Sequence, residues 1–281
     1  MASPQGVTGS TMPRRQLGRH LRDLRNRARM TTRTAAAQLE WSEAKIWRIE
    51  TGQTSLRSLD VEAMCKVYGA PADLVEPLAA LARETKARGW WTSYGDVIAE
   101  GFEVYIGLEE AASGLALYED GLVPALLQTE DYAKALLEQT IPGLTEAELV
   151  RRLRVMAARQ ALVTRADAPL RLDVVLAESV LTRVIGDDRV RAGQLARLRE
   201  LAERETVRIQ VVPGDSGYHA GLESGRFVIL DFGVDDSVDR PEPPVVYVET
   251  FAGSTYLDKP AECDRYRRAF TEIAAAATGT L

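Results

Sequence analysis

Glu43, Lys45 and Arg48 put three charged, hydrogen-bonding side chains on one short stretch, and Ile46 and Ile49 recur among them at i, i+3. On a helix that spacing turns the two isoleucines inward and leaves the charged groups on other faces. An arginine fork can grip O6 and N7 of guanine, and a carboxylate can accept from N4 of cytosine. The chemistry open to this stretch is therefore the reading of base edges. Reaction chemistry is harder to find. His20 and His219 are the only histidines, and Cys65 and Cys263 stand too far apart for metal spacing. There is no P-loop, no G-x-G-x-x-G and no nucleophile–base pair. No catalytic residue, metal or cofactor is expected, and the chain is not read as an enzyme.

The elements that must position these side chains are short helices. Ser42 is a good N-cap and Gly52 a stop signal, which brackets a helix over 42–51. Before it, Thr34–Leu39 stacks Ala35 and Leu39 on one face, and Ala35, Ala36 and Ala37 allow close helix approach. Glu40 and Trp41 break the pattern as a tight turn. Upstream, Arg14–Arg29 carries Leu17, Leu21, Leu24 and Ala28 on one face of a strongly basic helix. Downstream, Ser58–Tyr68 carries Val61, Met64 and Val67, and Gly69 ends it. Pro71–Arg88 carries Leu74, Leu78, Leu81 and Ala82. Taken alone, the helix pair at 34–51 is equally an ordinary αα-hairpin.

With its neighbours, the order helix, tight turn, helix, Gly, loop, helix resembles the xenobiotic-response-element type of helix-turn-helix regulator, the family of the lambdoid phage repressors. The matching residues are Leu17, Leu21, Leu24 and Arg25, then Ala36 and Leu39, then Ser42, Ile46, Arg48, Ile49, Glu50 and Gly52. The I-x-R-I-E-x-G string at Ile46–Gly52 is the most specific. The sequence departs from the family at Thr32, where a Gln usually opens the second helix, and at Glu40, where a Gly usually makes the turn. The resemblance implies that Glu43, Ala44 and Arg48 face bases and that Lys45 lies nearest a phosphate or purine edge. Glu43 equally suits a helix's first turn, where an acid complements the dipole. Arg29, Thr32, Arg33, Ser42, Trp47, Gln53, Thr54 and Arg57 are the candidates for the DNA backbone. Trp47 either contacts DNA or covers the neighbouring helix, and Arg29 also suits a helix end for electrostatic reasons.

Charge supports the reading. Residues 1–89 hold 15 Lys+Arg against 9 Asp+Glu, a local +6; the remainder of the chain's 35 and 41 is 20 against 32, a local −12. A basic head on an acidic body suits one face meeting phosphate while the rest stays soluble. At 281 residues and 46% hydrophobic the chain has room for two domains. No apolar run approaches the ~20 residues of a membrane span, and MASPQGVTGSTMPRR lacks the apolar core of a signal peptide. A cytoplasmic protein, held at the nucleoid through DNA, is expected.

The expected layout is multidomain: a flexible tail over 1–13, an all-α helix-turn-helix head over 14–70, a connecting helix over 71–89, and a mixed α/β (α+β) domain over 90–281. The head with its connector makes about five helices. The boundary is set at the aromatic run Gly89–Tyr94. Beyond it the spacing predicts helices over Tyr105–Tyr118, through Tyr132 to Leu137, Glu146–Thr164, Asp188–Glu205 and Pro260–Ala277. Strands are predicted over Leu170–Leu176, Val207–Val212, Arg226–Phe232, Val245–Glu249 and Ser254–Leu257, with an exposed loop over Asp235–Pro244.

LVPALLQTEDYAKAL, VRIQVVPGDSGYHAGLESGRFVIL and VVYVETFAGSTYL are similar to the large C-terminal domain that accompanies this head in many actinobacterial regulators. That resemblance implies control of development or antibiotic production and a small partner protein encoded nearby. The strand at Val207 followed by His219 is also faintly like half of a phospholipase-D-type fold, but Gly221 stands where that chemistry needs a Lys. Trp90, Trp91 and Tyr94, with Tyr218, His219, Glu249 and Tyr256, are the residues for a ligand or partner site, against a default of packing and structural hydrogen bonding. The resulting expectation is a regulator reading the major groove of a pseudo-palindromic operator as a homodimer. The alternative is an adaptor or antitoxin-like protein that sequesters a partner, with DNA binding secondary.

Overall fold

The computed structural model describes residues 11–86, 88–233 and 242–279. Twelve α-helices and six strands are assigned among them. They form two compact units, one of residues up to 95 together with 99–111, the other of 96–98 and 112 onward. None of the described helices is long and apolar enough to cross a membrane.

The helical unit holds α1 (Thr11–Arg27), α2 (Thr32–Leu39), α3 (Glu43–Glu50), α4 (Ser58–Tyr68), α5 (Ala72–Glu84), a 3-10 turn at Trp90–Tyr94 and α6 (Phe102–Ala111). Leu17, Leu21, Ala35, Ile46, Ile49, Val61, Met64 and Leu78 close one core at the periodic positions the sequence marks. α1 is helical from Thr11, the first described residue, so it already takes in residues 11–13, where a tail was expected. Thr11 is buried against Gly107 of α6, where a Cβ would meet its hydroxyl. The flexible tail expected over residues 1–13 otherwise lies outside the described residues. The composition shift at residue 89 falls inside this unit: Trp91 is buried, and the Trp90 indole N–H donates to Glu110 Oε2 at 3.2 Å.

The second unit is built on β1 (Gly114–Glu119), α7 (Glu130–Thr140), α8 (Glu146–Thr164), β2 (Arg171–Ala177), α9 (Glu178–Thr182), α10 (Asp188–Ala202), β3 (Val207–Val212), α11 (Gly221–Ser224), β4 (Phe227–Asp231), β5 (Val245–Thr250), β6 (Gly253–Leu257) and α12 (Pro260–Ala276). Its sheet runs β3-β2-β1-β4-β5-β6. β1, β2 and β3 are parallel and linked through helices; β4, β5 and β6 continue antiparallel. Phe270, Ile273 and Cys263 of α12 cover one face, over Tyr118, Val175, Val212, Phe227, Ile229 and Val246. On the other face Leu117, Val174, Ile209 and Leu230 are equally buried.

A helix over Tyr105–Tyr118 is not what forms. α6 ends at Ala111, and Gly114–Glu119 is the central strand. A strand buried on both faces reads as a continuous apolar run with no alternation to betray it. The helix expected to Glu205 stops at Ala202. The 146–164 helix, by contrast, is announced by a capping box: the Thr145 hydroxyl accepts from the Glu148 N–H, and Glu148 Oε2 accepts from the Thr145 N–H at 2.9 Å. Of the loop expected over Asp235–Pro244, residues 235–241 lie outside the described residues.

Candidate nucleic-acid interface

The interface is held by two capped helices and the turn between them. Thr31, one residue before Thr32, is the N-cap of α2: its hydroxyl accepts from the Thr34 N–H at 3.1 Å. α2 ends at Glu40, which holds a left-handed backbone (φ +55°) while its N–H and that of Trp41 close onto the last turn. Ser42 then caps α3, its hydroxyl accepting from the Lys45 N–H at 3.2 Å.

The inner face of α3 is locked. Ile46 and Ile49 are fully buried, and Gly18 of α1 lies so close that a Cβ there would sit 2.4 Å from the Ile49 carbonyl oxygen. Gly52 is needed twice over, for its φ of +73° and because a Cβ would meet the Arg15 backbone. Arg25 grips Glu50 with both arms of its fork, at 2.6 and 2.7 Å, and its third nitrogen donates to the Met30 carbonyl at 2.8 Å. The hydrogen bond to Glu50 raises the affinity of Arg25 for its proton. One buried ion pair thereby ties α1, the loop before α2 and α3 together, and it joins two residues of the regulator-type pattern.

The outer face carries the expected side chains. Glu43, Ala44 and Arg48 are exposed, and Lys45 is half-buried. Two pairings within this group were not legible in the sequence. Arg33 lies 3.7 Å from Glu43 across the turn, and the Lys45 ammonium stands 3.3 Å above the Trp41 ring. Trp47 is 54% exposed instead of covering a neighbouring helix. Arg29 is exposed just past α1 with φ +55°, Gln53 is exposed, and Thr32 and Thr54 are half-buried. Arg57 is turned onto Asp60 by a forked contact at 3.0 and 3.1 Å, which holds the Asp60 carboxyl below the usual carboxylate range.

The residues proposed for a second site are divided. Trp90, Trp91 and Tyr94 are an edge-to-face aromatic group within the helical unit. In the sheet unit, buried His219 meets Tyr118 edge-on, and its Nδ1 accepts from the Gly221 N–H at 3.1 Å. Exposed Tyr218 donates to Glu223 at 3.0 Å. Tyr118 lies on the α12 face of the sheet. Glu249 and Tyr256 lie on the opposite face, because Tyr247 alternates with Val246 and pairs across to Tyr256. Strand alternation thus separates Tyr218 and His219 from Glu249 and Tyr256. Glu249 instead meets Arg226 at 3.3 Å. The same face holds Glu119, whose carboxyl burial pushes up to about 7.

A family model described as a helix-turn-helix domain matches residues 16–78, and one described as a domain of unknown function, DUF5753, matches residues 102–280. No curated protein and no solved structure matches the chain. The first match covers the capped helix pair and its supporting helices; the second takes in well over half of the chain, including the whole sheet. The chain belongs to the DUF5753 family, as a helix-turn-helix DNA-binding regulator with that domain at its C-terminal side.

Proposed function

We propose that the chain is a sequence-specific transcriptional regulator that reads the major groove with α3. Arg48 reads guanine, Glu43 and Ala44 lie along the same face, and Lys45 lies at a purine edge or phosphate. Arg29, Thr32, Arg33, Ser42, Trp47, Gln53, Thr54 and Arg57 hold the DNA backbone. The protein acts as a homodimer on a pseudo-palindromic operator, in the cytoplasm at the nucleoid. The 90–281 segment provides dimerisation and receives a small partner protein or ligand.

The observation that supports this most is the division of α3 into a locked and a presented face. Ile46, Ile49 and Glu50 are buried, while Glu43, Ala44, Trp47 and Arg48 are exposed on a short helix with a fixed N-cap. A helix held this rigidly presents its outer side chains without reorganisation on binding.

The test is selection from a random duplex pool with the full chain and with Arg48→Ala. The expected result is a two-fold-symmetric site that the variant binds about 10–100-fold more weakly, the range of one lost bidentate base contact. Failure to enrich any site at low and at physiological salt sinks DNA reading and leaves the partner-sequestering adaptor.

A further inference from the structure

The two edges of the sheet are treated differently. At β3 the C-terminal segment returns, and the Thr278 N–H donates to the Val211 carbonyl at 3.1 Å. At the far edge, β6 pairs with β5 and with no other strand among the described residues. Gly253, Ser254 and Thr255 are exposed. Alternate residues of such a strand turn their N–H and C=O groups away from the sheet, a template for another strand.

Edge strands are ordinarily blunted by charges, prolines or bulges. This one is not. From Thr250 to Leu257 there is no Asp, Glu, Lys, Arg or Pro, in a chain that is 27% charged. The β5–β6 hairpin also carries Phe251 wholly exposed at its tip, where an aromatic ring is costly to leave in water.

We propose that β6 is the dimerisation edge and pairs antiparallel with β6 of a second copy of this chain, about a two-fold axis at Thr255. The proposal rests on the dimeric reading given above and assigns its interface. A second copy is the occupant that this strand fits, because the stretch is self-complementary. Antiparallel pairing about Thr255 sets Gly253 opposite the partner's Leu257 and Ser254 opposite the partner's Tyr256, so no like charges oppose one another. Pairing the sheets tethers two heads and raises the effective concentration of the second at its half-site.

Sedimentation equilibrium of the full chain, with Thr255→Lys and Thr255→Cys, tests this. The native chain should sediment at twice its 30.9 kDa. Thr255→Lys, which opposes two ammonium groups across the axis, should sediment at the single-chain mass and bind the operator about a hundredfold or more weaker. Thr255→Cys should form a covalent dimer on mild oxidation, since facing residues of antiparallel strands lie within disulfide reach. Thr140→Cys, exposed at the end of α7, should not, and the native Cys65 and Cys263 are buried. A single-chain mass for the native protein, a Thr255→Lys dimer, or no cross-link at position 255 overturns the proposal. Because the cross-link is read without DNA, a covalent dimer that selects no operator overturns the DNA reading alone. A native monomer that selects one overturns the edge alone.

Discussion

Arg25 and Glu50 show how a single pair decides whether α3 can present anything. Their side chains are 10% and 4% exposed, and the guanidinium also satisfies the Met30 carbonyl. Removing one partner leaves an uncompensated buried charge, which costs about 3–5 kcal/mol in comparable pairs. Glu50→Ala should therefore lower the unfolding free energy of the helical unit by that order. Replacing both residues with apolar ones of similar volume should recover most of the loss. Denaturant titrations followed by tryptophan fluorescence measure both. Equal losses in the single and double variants would mean that the pair contributes shape and no charge compensation. Lys45 is positioned by a subtler contact. Its seat on the Trp41 ring restrains a long side chain, which lowers the rotamer entropy lost in the DNA contact proposed for it.

Among the elements, β1 is where the parallel and antiparallel halves of the sheet join, and Glu119 stands at its C-terminal end with Oε2 buried and without a hydrogen-bond partner among the described residues. Burial, helped by Asp120 and Glu249 and opposed by Arg226, moves its pKa from an ordinary 4.5 to about 7. The folded state thus holds the proton more tightly than the unfolded chain, so stability falls as pH rises from about 4.5 to 7 and is level above that. Glu119→Gln should abolish this slope. The variant should match the native chain near pH 4.5 and exceed it by up to about 3 kcal/mol at pH 8. Urea midpoints across that range read it directly, and parallel curves for the two proteins would exclude Glu119 as the cause.

The sequence carried some of these elements openly and hid others. The end of α2 at Glu40, the Ser42 cap, the Thr145–Glu148 capping box and the apolar run of β3 are local signals, so their elements stand where spacing predicts. β1 shows no alternation because both of its faces are covered, which is why the helical period expected over Tyr105–Tyr118 runs on past the end of α6 into the strand. The close approach at Gly18 and the Lys45–Trp41 stack depend on tertiary placement that no period records. The grouping of His219 with Glu249 failed for a related reason. Strand order is known only once the sheet exists, and alternation then sends the two to opposite faces.

For the whole molecule, the separation of charge sets the conditions under which it works. The first 89 residues carry +6 and the remainder −12, so attraction to DNA comes from the head and is local to it. Within the head, Arg29 is exposed, and among the described residues the ion pair of Arg33 is a long contact to Glu43 at side-chain exposures of 88% and 55%, which solvent screens. Both are therefore available to phosphate. Each phosphate contact releases about 0.9 counterion, so log K against log salt should flatten by roughly 2 in Arg29→Ala/Arg33→Ala, with the selected sequence unchanged. Arg57, already forked onto Asp60, should change the slope less when replaced. Arg48→Ala should do the reverse, relaxing sequence preference while leaving most of the slope in place. Fluorescence anisotropy of one operator and one scrambled duplex across a salt series separates the two effects. A slope that Arg29 and Arg33 leave untouched would mean that phosphate is held elsewhere on the head, and a slope altered by neutralising acids of the 90–281 segment would mean that the body's field reaches the DNA after all.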